Sequence, residues 1–134
     1  MKQIKLVLIL IGFTIFSNNI FAQTENSESK ATFISSLIKI DTYLTESSNV
    51  QYDNNCRIMF HQKAIDTYSD FETAYEKIKP ELSTEVKEQL IGVLNVYSQF
   101  AVKENFQYLS DGSAKTALAI CSNSIKKITE LMTD

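Results

Sequence analysis

Proline occurs once in this chain, at Pro80, and glycine at three positions, Gly12, Gly92 and Gly112; this scarcity constrains the fold more than any other feature. Short strands must reverse direction every few residues, and tight reversals draw on glycine and proline for backbone angles that other residues resist. A chain of 134 residues with so few of either, and rich in Lys, Glu, Ala, Leu and Ile, suits a few long helices.

Apolar spacing agrees. Phe33, Leu37, Ile40 and Leu44 recur at three and four residues, with Ile34 and Ile38 widening the face, which predicts a first helix over Lys30 to Thr45. Glu46 to Asn55 is polar and reads as the longest loop, ending in Asp53-Asn54-Asn55, any of which can cap a following helix. A second helix is expected from Cys56 to Lys79, with Phe60, Ala64, Phe71, Tyr75 and Ile78 in one sector, Ile65 and Tyr68 on its flank, and Pro80 ending it. Ser83 is positioned to cap a third, whose main stripe is Val86, Leu90, Val93, Leu94, Tyr97, Phe100 and Ala101. A second line of Ile91, Val102 and Leu109 suggests that this helix touches two neighbours. Ser110-Asp111-Gly112-Ser113 breaks the pattern, and a fourth helix follows to about Met132 through Ala114, Ala117, Leu118, Cys121, Ile125, Ile128 and Met132. The expected fold is all-α: a four-helix up-and-down antiparallel bundle forming one domain over residues 30–134.

The first 22 residues have a different character. Lys2 and Lys5 precede an apolar run from Leu6 to Phe16, and Ile20-Phe21-Ala22 ends in a small residue, the pattern of a cleavable export signal. The mature chain is then expected to start near Gln23, with residues 23–29 as a flexible lead. The apolar run falls short of the roughly twenty residues a stable membrane anchor needs, and no later run reaches that length. A soluble product outside the cytoplasm is expected, periplasmic or secreted. The Lys-, Ile- and Asn-rich, Arg-poor composition fits an AT-rich bacterial source.

Charge and cysteines narrow the functions. The whole chain carries a net −3, and the export segment holds two lysines and no acid, so the mature part is more acidic still. With a single arginine, Arg57, nucleic acid and anionic membranes are poor partners, since both reward clustered positive charge. Cys56 and Cys121 are the only cysteines, and in an oxidising compartment one disulfide between them is expected, restricting the unfolded chain by about 4 kcal/mol. No Cys-x-x-Cys motif is present, which excludes the usual thiol-oxidoreductase arrangement.

His61 is the only histidine, so paired Glu-x-x-His di-iron sites, most zinc sites and histidine-based triads lack their parts. Asp66 and Asp70 lie one turn apart beside Lys63 and Lys77 on the polar side of the second helix and read as a solvated face. No Gly-x-Ser-x-Gly elbow or phosphate loop occurs. No catalytic residue, metal site or cofactor is expected. Tyr52, Asp53 and Phe106 stand out as partner contacts, because Tyr52 lies in the polar loop and Phe106 points off the main stripe. The reading that follows is an exported non-catalytic bundle that binds another protein, as an inhibitor, an immunity-type protein or an envelope accessory protein does. The alternative is a small-ligand or haem carrier, with His61, Tyr68 and Tyr75 lining the space between helices.

Overall fold

The computed structural model describes residues 2–50, 53–101 and 111–133, with side chains from residue 23 onward. Among these residues the protein is all α. Helix α1 spans Lys2–Asn49, α2 Asn54–Ile78, α3 Thr84–Phe100 and α4 Gly112–Thr133, and a 3-10 turn over Lys79–Glu81 follows α2.

Helix α1 is the hub, packing extensively against α2 and also against α4, while α3 packs against α4. Contacts give the directions. Phe33 meets Phe71 and Tyr75 with ring centres 5.4 and 6.2 Å apart, whereas Tyr43, later in α1, meets Phe60, earlier in α2, at 6.5 Å. The two helices therefore run antiparallel. Ser29, Ser36, Ser47, Ala64 and Ala74 are buried with them, and such small side chains let the backbones approach closely. In the second pair, Glu85 at the start of α3 reaches Lys127 near the end of α4 at 3.0 Å, so these helices are antiparallel too.

Each boundary has a local cause. Asp53 caps α2, its Oδ1 accepting from the backbone N–H of Asn55 at 2.9 Å and of Cys56 at 3.1 Å. Ser83 caps α3 by accepting from the Val86 N–H at 3.2 Å. Pro80 lies in the intervening turn, where its missing N–H disturbs no helical ladder. The core comprises Phe33, Leu37, Ile40 and Leu44 of α1, Ala64, Phe71 and Ile78 of α2, Val86, Leu90, Val93 and Tyr97 of α3, and Leu118, Cys121, Ile125 and Ile128 of α4. Burying each large apolar side chain contributes about 1.5–3 kcal/mol.

Three expectations require correction. The first concerns the ends of α1, which extends past both Lys30 and Thr45. Residues 23–29 are helical and docked: Ser29 is buried, Glu25 pairs with Lys77 at 3.4 Å, and the Asn26 side chain hydrogen-bonds Glu81. At the other end Ser47 and Ser48 are buried, the Ser47 hydroxyl donating to the Arg57 carbonyl at 2.9 Å and that of Ser48 to the Thr45 carbonyl at 2.7 Å. The connection to α2 is correspondingly short, residues 50–53, in place of the long loop from Glu46 to Asn55. The second is the outer line of α3, where Ile91 is 61% exposed and covered by no neighbour; Val102 and Leu109 lie outside the described residues.

The third correction is the disulfide. Cys56 and Cys121 are both free and are not near each other. Cys56 lies in the first turn of α2, beside Arg57, whose carbonyl meets Ser47, whereas Ser122, next to Cys121, meets Asp41. Those α1 levels are separated by about 9 Å of helix axis at 1.5 Å per residue. The cysteines also belong to two different helices that both pack on α1. A bridge needs Cα atoms within about 7 Å, so sharing the same half of a bundle is insufficient.

No helix among the described residues is long and apolar enough to cross a membrane. Protein unfolded without reductant is expected to titrate two thiols, and reductant is expected to leave the thermal midpoint unchanged. Replacing Phe33 with Ala should cost about 3–5 kcal/mol in denaturant unfolding, since its ring lies between two others in the core.

Candidate functional site

The polar centre of the bundle is Asp41. It follows Ile40 on α1, at the margin of the buried stripe, and its half-buried carboxylate faces α3 and α4. The Tyr97 hydroxyl of α3 donates to Oδ1 at 2.6 Å. From α4, the Ser122 hydroxyl lies 2.8 Å from Oδ1 and 2.9 Å from Oδ2, and 3.1 Å from its own helix's Leu118 carbonyl. One carboxylate thus ties three helices.

Burial drives the chemistry of its neighbours. Tyr97 is wholly buried, and desolvation, reinforced by the Asp41 charge, raises its phenol far above the ordinary range. Cys121, adjacent to Ser122, is buried, and the same causes in the same order push its thiol up to about 11. Both groups stay neutral at physiological pH. A thiol held in its protonated form is a poor nucleophile, so Cys121 acts as a small core residue. The geometry is that of an interhelical tie: a charge-accepting carboxylate, two hydroxyl donors and an inert thiol.

A second tie joins α2 to the end of α3. His61 is 3% exposed, and its Nε2 lies 2.6 Å from the Phe100 carbonyl oxygen. A carbonyl only accepts, so Nε2 carries the hydrogen and donates it. That carbonyl belongs to the last turn of α3, where helical partners run out.

The other sequence-selected residues are dispersed. Tyr68 packs on Phe71 at 5.6 Å, and burial, then the Glu72 charge, raises its phenol. Tyr75 stacks on Phe71 at 5.9 Å and on Phe33. From His61 to Tyr75 is about 20 Å of helix, so the three residues span much of α2. Asp53 is exposed and serves as the α2 cap, its carboxyl held below its ordinary value by the Cys56 thiol and the backbone N–H of Cys56 and Asn55. The same pairing raises the Cys56 thiol. Tyr52 and Phe106 lie outside the described residues. Among the described residues no group of three or more His, Cys, Asp or Glu side chains is placed to hold a metal ion. Between α1 and α2 an open groove of 380 Å³ carries Glu25, Glu28, Asp70 and Lys77 on its walls.

Sequence reasoning passed over Asp41. One signal was present: Tyr97 sits in the middle of an apolar stripe, and a buried phenol requires an acceptor. Which carboxylate supplies it depends on how the helices are arranged. In comparisons with known proteins, no family model, no curated protein and no solved structure matches the chain. Its class is therefore defined by its own geometry: an all-α bundle with a central carboxylate tie.

Asp41→Ala should cost about 1–3 kcal/mol by leaving the Tyr97 hydroxyl buried without its acceptor, and Tyr97→Phe about 1 kcal/mol. The pair should fall short of additive in a double-mutant cycle by denaturant unfolding. The raised Cys121 thiol also makes stability pH-dependent. The unfolded thiol ionises from its ordinary value near 9 and the folded one only at about 11, so this contribution is complete below pH 9 and lost as pH rises toward 11. Cys121→Ala should flatten that part of a midpoint-versus-pH curve.

Proposed function

We propose that this protein is an exported, non-catalytic helical bundle that binds another protein, as an inhibitor, an immunity-type protein or an envelope accessory protein does. The observation that carries the reading is how the end of α1 and the start of α2 are tied to each other. There the Val50 N–H bonds the Glu46 carbonyl at 3.1 Å, the Ser47 hydroxyl holds Arg57, and Asp53 caps α2. In the first turns of α2, Ile58 and Met59 are 52% and 43% exposed. Exposed apolar side chains on a helix end held by such bonds lose little conformational entropy on association, which favours binding. Tyr52, in the same connection, and Phe106 extend the proposed contact by sequence. In the haem alternative the axial bond would fall to Nδ1 of His61, since Nε2 carries the hydrogen donated to Phe100.

Tagged protein recovered from the exported fraction should retain a protein partner, and the double variant Ile58→Asp, Met59→Asp should weaken that capture about tenfold or more while keeping the wild-type thermal midpoint. Equal capture by both forms would remove this end of the bundle from the interface. Absence of any protein partner, together with a reproducible non-protein adduct in native mass spectra, would replace the reading with the ligand carrier.

A further inference from the structure

Export cleavage after Ala22 would cut α1 within its helical span and make Gln23 the first residue of the mature protein. We propose that this residue is a modification site: the new N-terminal glutamine cyclises to pyroglutamate, giving a mature chain without a free α-amino group. The inference rests on the export reading and goes beyond it.

The chemistry is internal to one residue. The α-amino nitrogen attacks the side-chain amide carbon, a C–N bond closes a five-membered lactam, the bond to the amide nitrogen breaks, and one ammonia leaves with the displaced proton. No oxidant, reductant or second substrate takes part.

The structure leaves room for this. Gln23 is exposed, as is Thr24. Further along α1 the Glu25 carboxylate lies 3.4 Å from Lys77 and the Asn26 side chain hydrogen-bonds Glu81, and the first buried side chain among those described is Ser29. Amine and amide of Gln23 can therefore meet without disturbing the bundle.

Electrostatics favours the product. Cutting α1 creates a new helix N-terminus, whose unpaired N–H groups carry the positive end of the helix dipole. An α-amino group titrates near 8, so at neutral pH an uncyclised Gln23 would place an ammonium there. The lactam is neutral. Glu25 and Glu28, in the first turns of the trimmed helix, then face the dipole without a competing cation.

The test is intact mass measurement on the full exported protein, acylated with an amine-reactive reagent at the moment of recovery and followed by sequencing of the N-terminal peptide. The wild type should have the mass of the chain from Gln23 less one ammonia, with its N-terminus unacylated. Gln23→Ala, which cannot close the ring, should start at Ala with no ammonia lost and an acylated N-terminus. A wild-type chain starting at Gln23 with full mass and an acylated α-amine would overturn cyclisation and leave export intact. A chain still beginning at Met1, or at another position, would overturn the cleavage and the proposal with it.

Discussion

The hydrogen bonds to Asp41 are the constraint on which the arrangement of helices most depends. Apolar stripes supply most of the stabilisation, but burial is non-directional, and two stripes can slide by a turn and still bury similar area. A polar group cannot. Tyr97 is wholly buried, and its hydroxyl would be left unpaired if α3 shifted along α1 by one turn, a rise of about 5.4 Å. Ser122 imposes the same condition on α4, and because both donors converge on one carboxylate, the positions of α3 and α4 are coupled through α1. His61 adds a separate condition by fixing α2 against the end of α3. Directional bonds at these points select one alignment from several that apolar packing alone would tolerate.

This division explains what was legible in the sequence. Phe33, Leu37, Ile40 and Leu44 were readable as a buried stripe because helical period depends only on local spacing, and each is essentially buried. The caps at Asp53 and Ser83 were readable for the same reason, since a capping side chain reaches only two or three residues ahead. The extent of α1 was not. Ser47 and Ser48 look like loop residues, yet both are buried and bonded to backbone carbonyls, and one of those belongs to α2. Residues 23–29 look like a polar lead, yet they continue α1 with Ser29 buried in the bundle. In both places tertiary partners decide the structure of a locally ambiguous segment.

The disulfide shows the same limit from the other side. Compartment and cysteine count argued for a bridge, and helices α2 and α4 were expected to run in the same direction. A bridge nevertheless depends on distances of a few ångströms, and the level of each helix along α1 is set by Ser47 and Asp41, neither of which contains sulfur. The two thiols then meet different fates. Cys121 is buried beside a carboxylate and held protonated, whereas Cys56 sits partly exposed in a helix's first turn, where the positive end of the dipole would ordinarily favour thiolate. The Asp53 carboxylate opposes that dipole and raises the Cys56 thiol instead. The residue that caps α2 thereby also makes the more accessible thiol less reactive.

On the proposed export reading, helix α1 would combine two roles whose physical requirements differ. An export signal needs a short apolar run and a small residue before the cut, while a bundle helix needs an apolar stripe on one face and polar residues elsewhere. Among the side chains described, from residue 23 onward, the first buried one is Ser29 and the first large one is Phe33. The contacts that Glu25 and Asn26 make ahead of Ser29 are exposed ones of small energetic weight. After removal of the first 22 residues the register of the helix would still be set by Asp41, about two-thirds of the way along the trimmed length, where fraying of a new end does not reach.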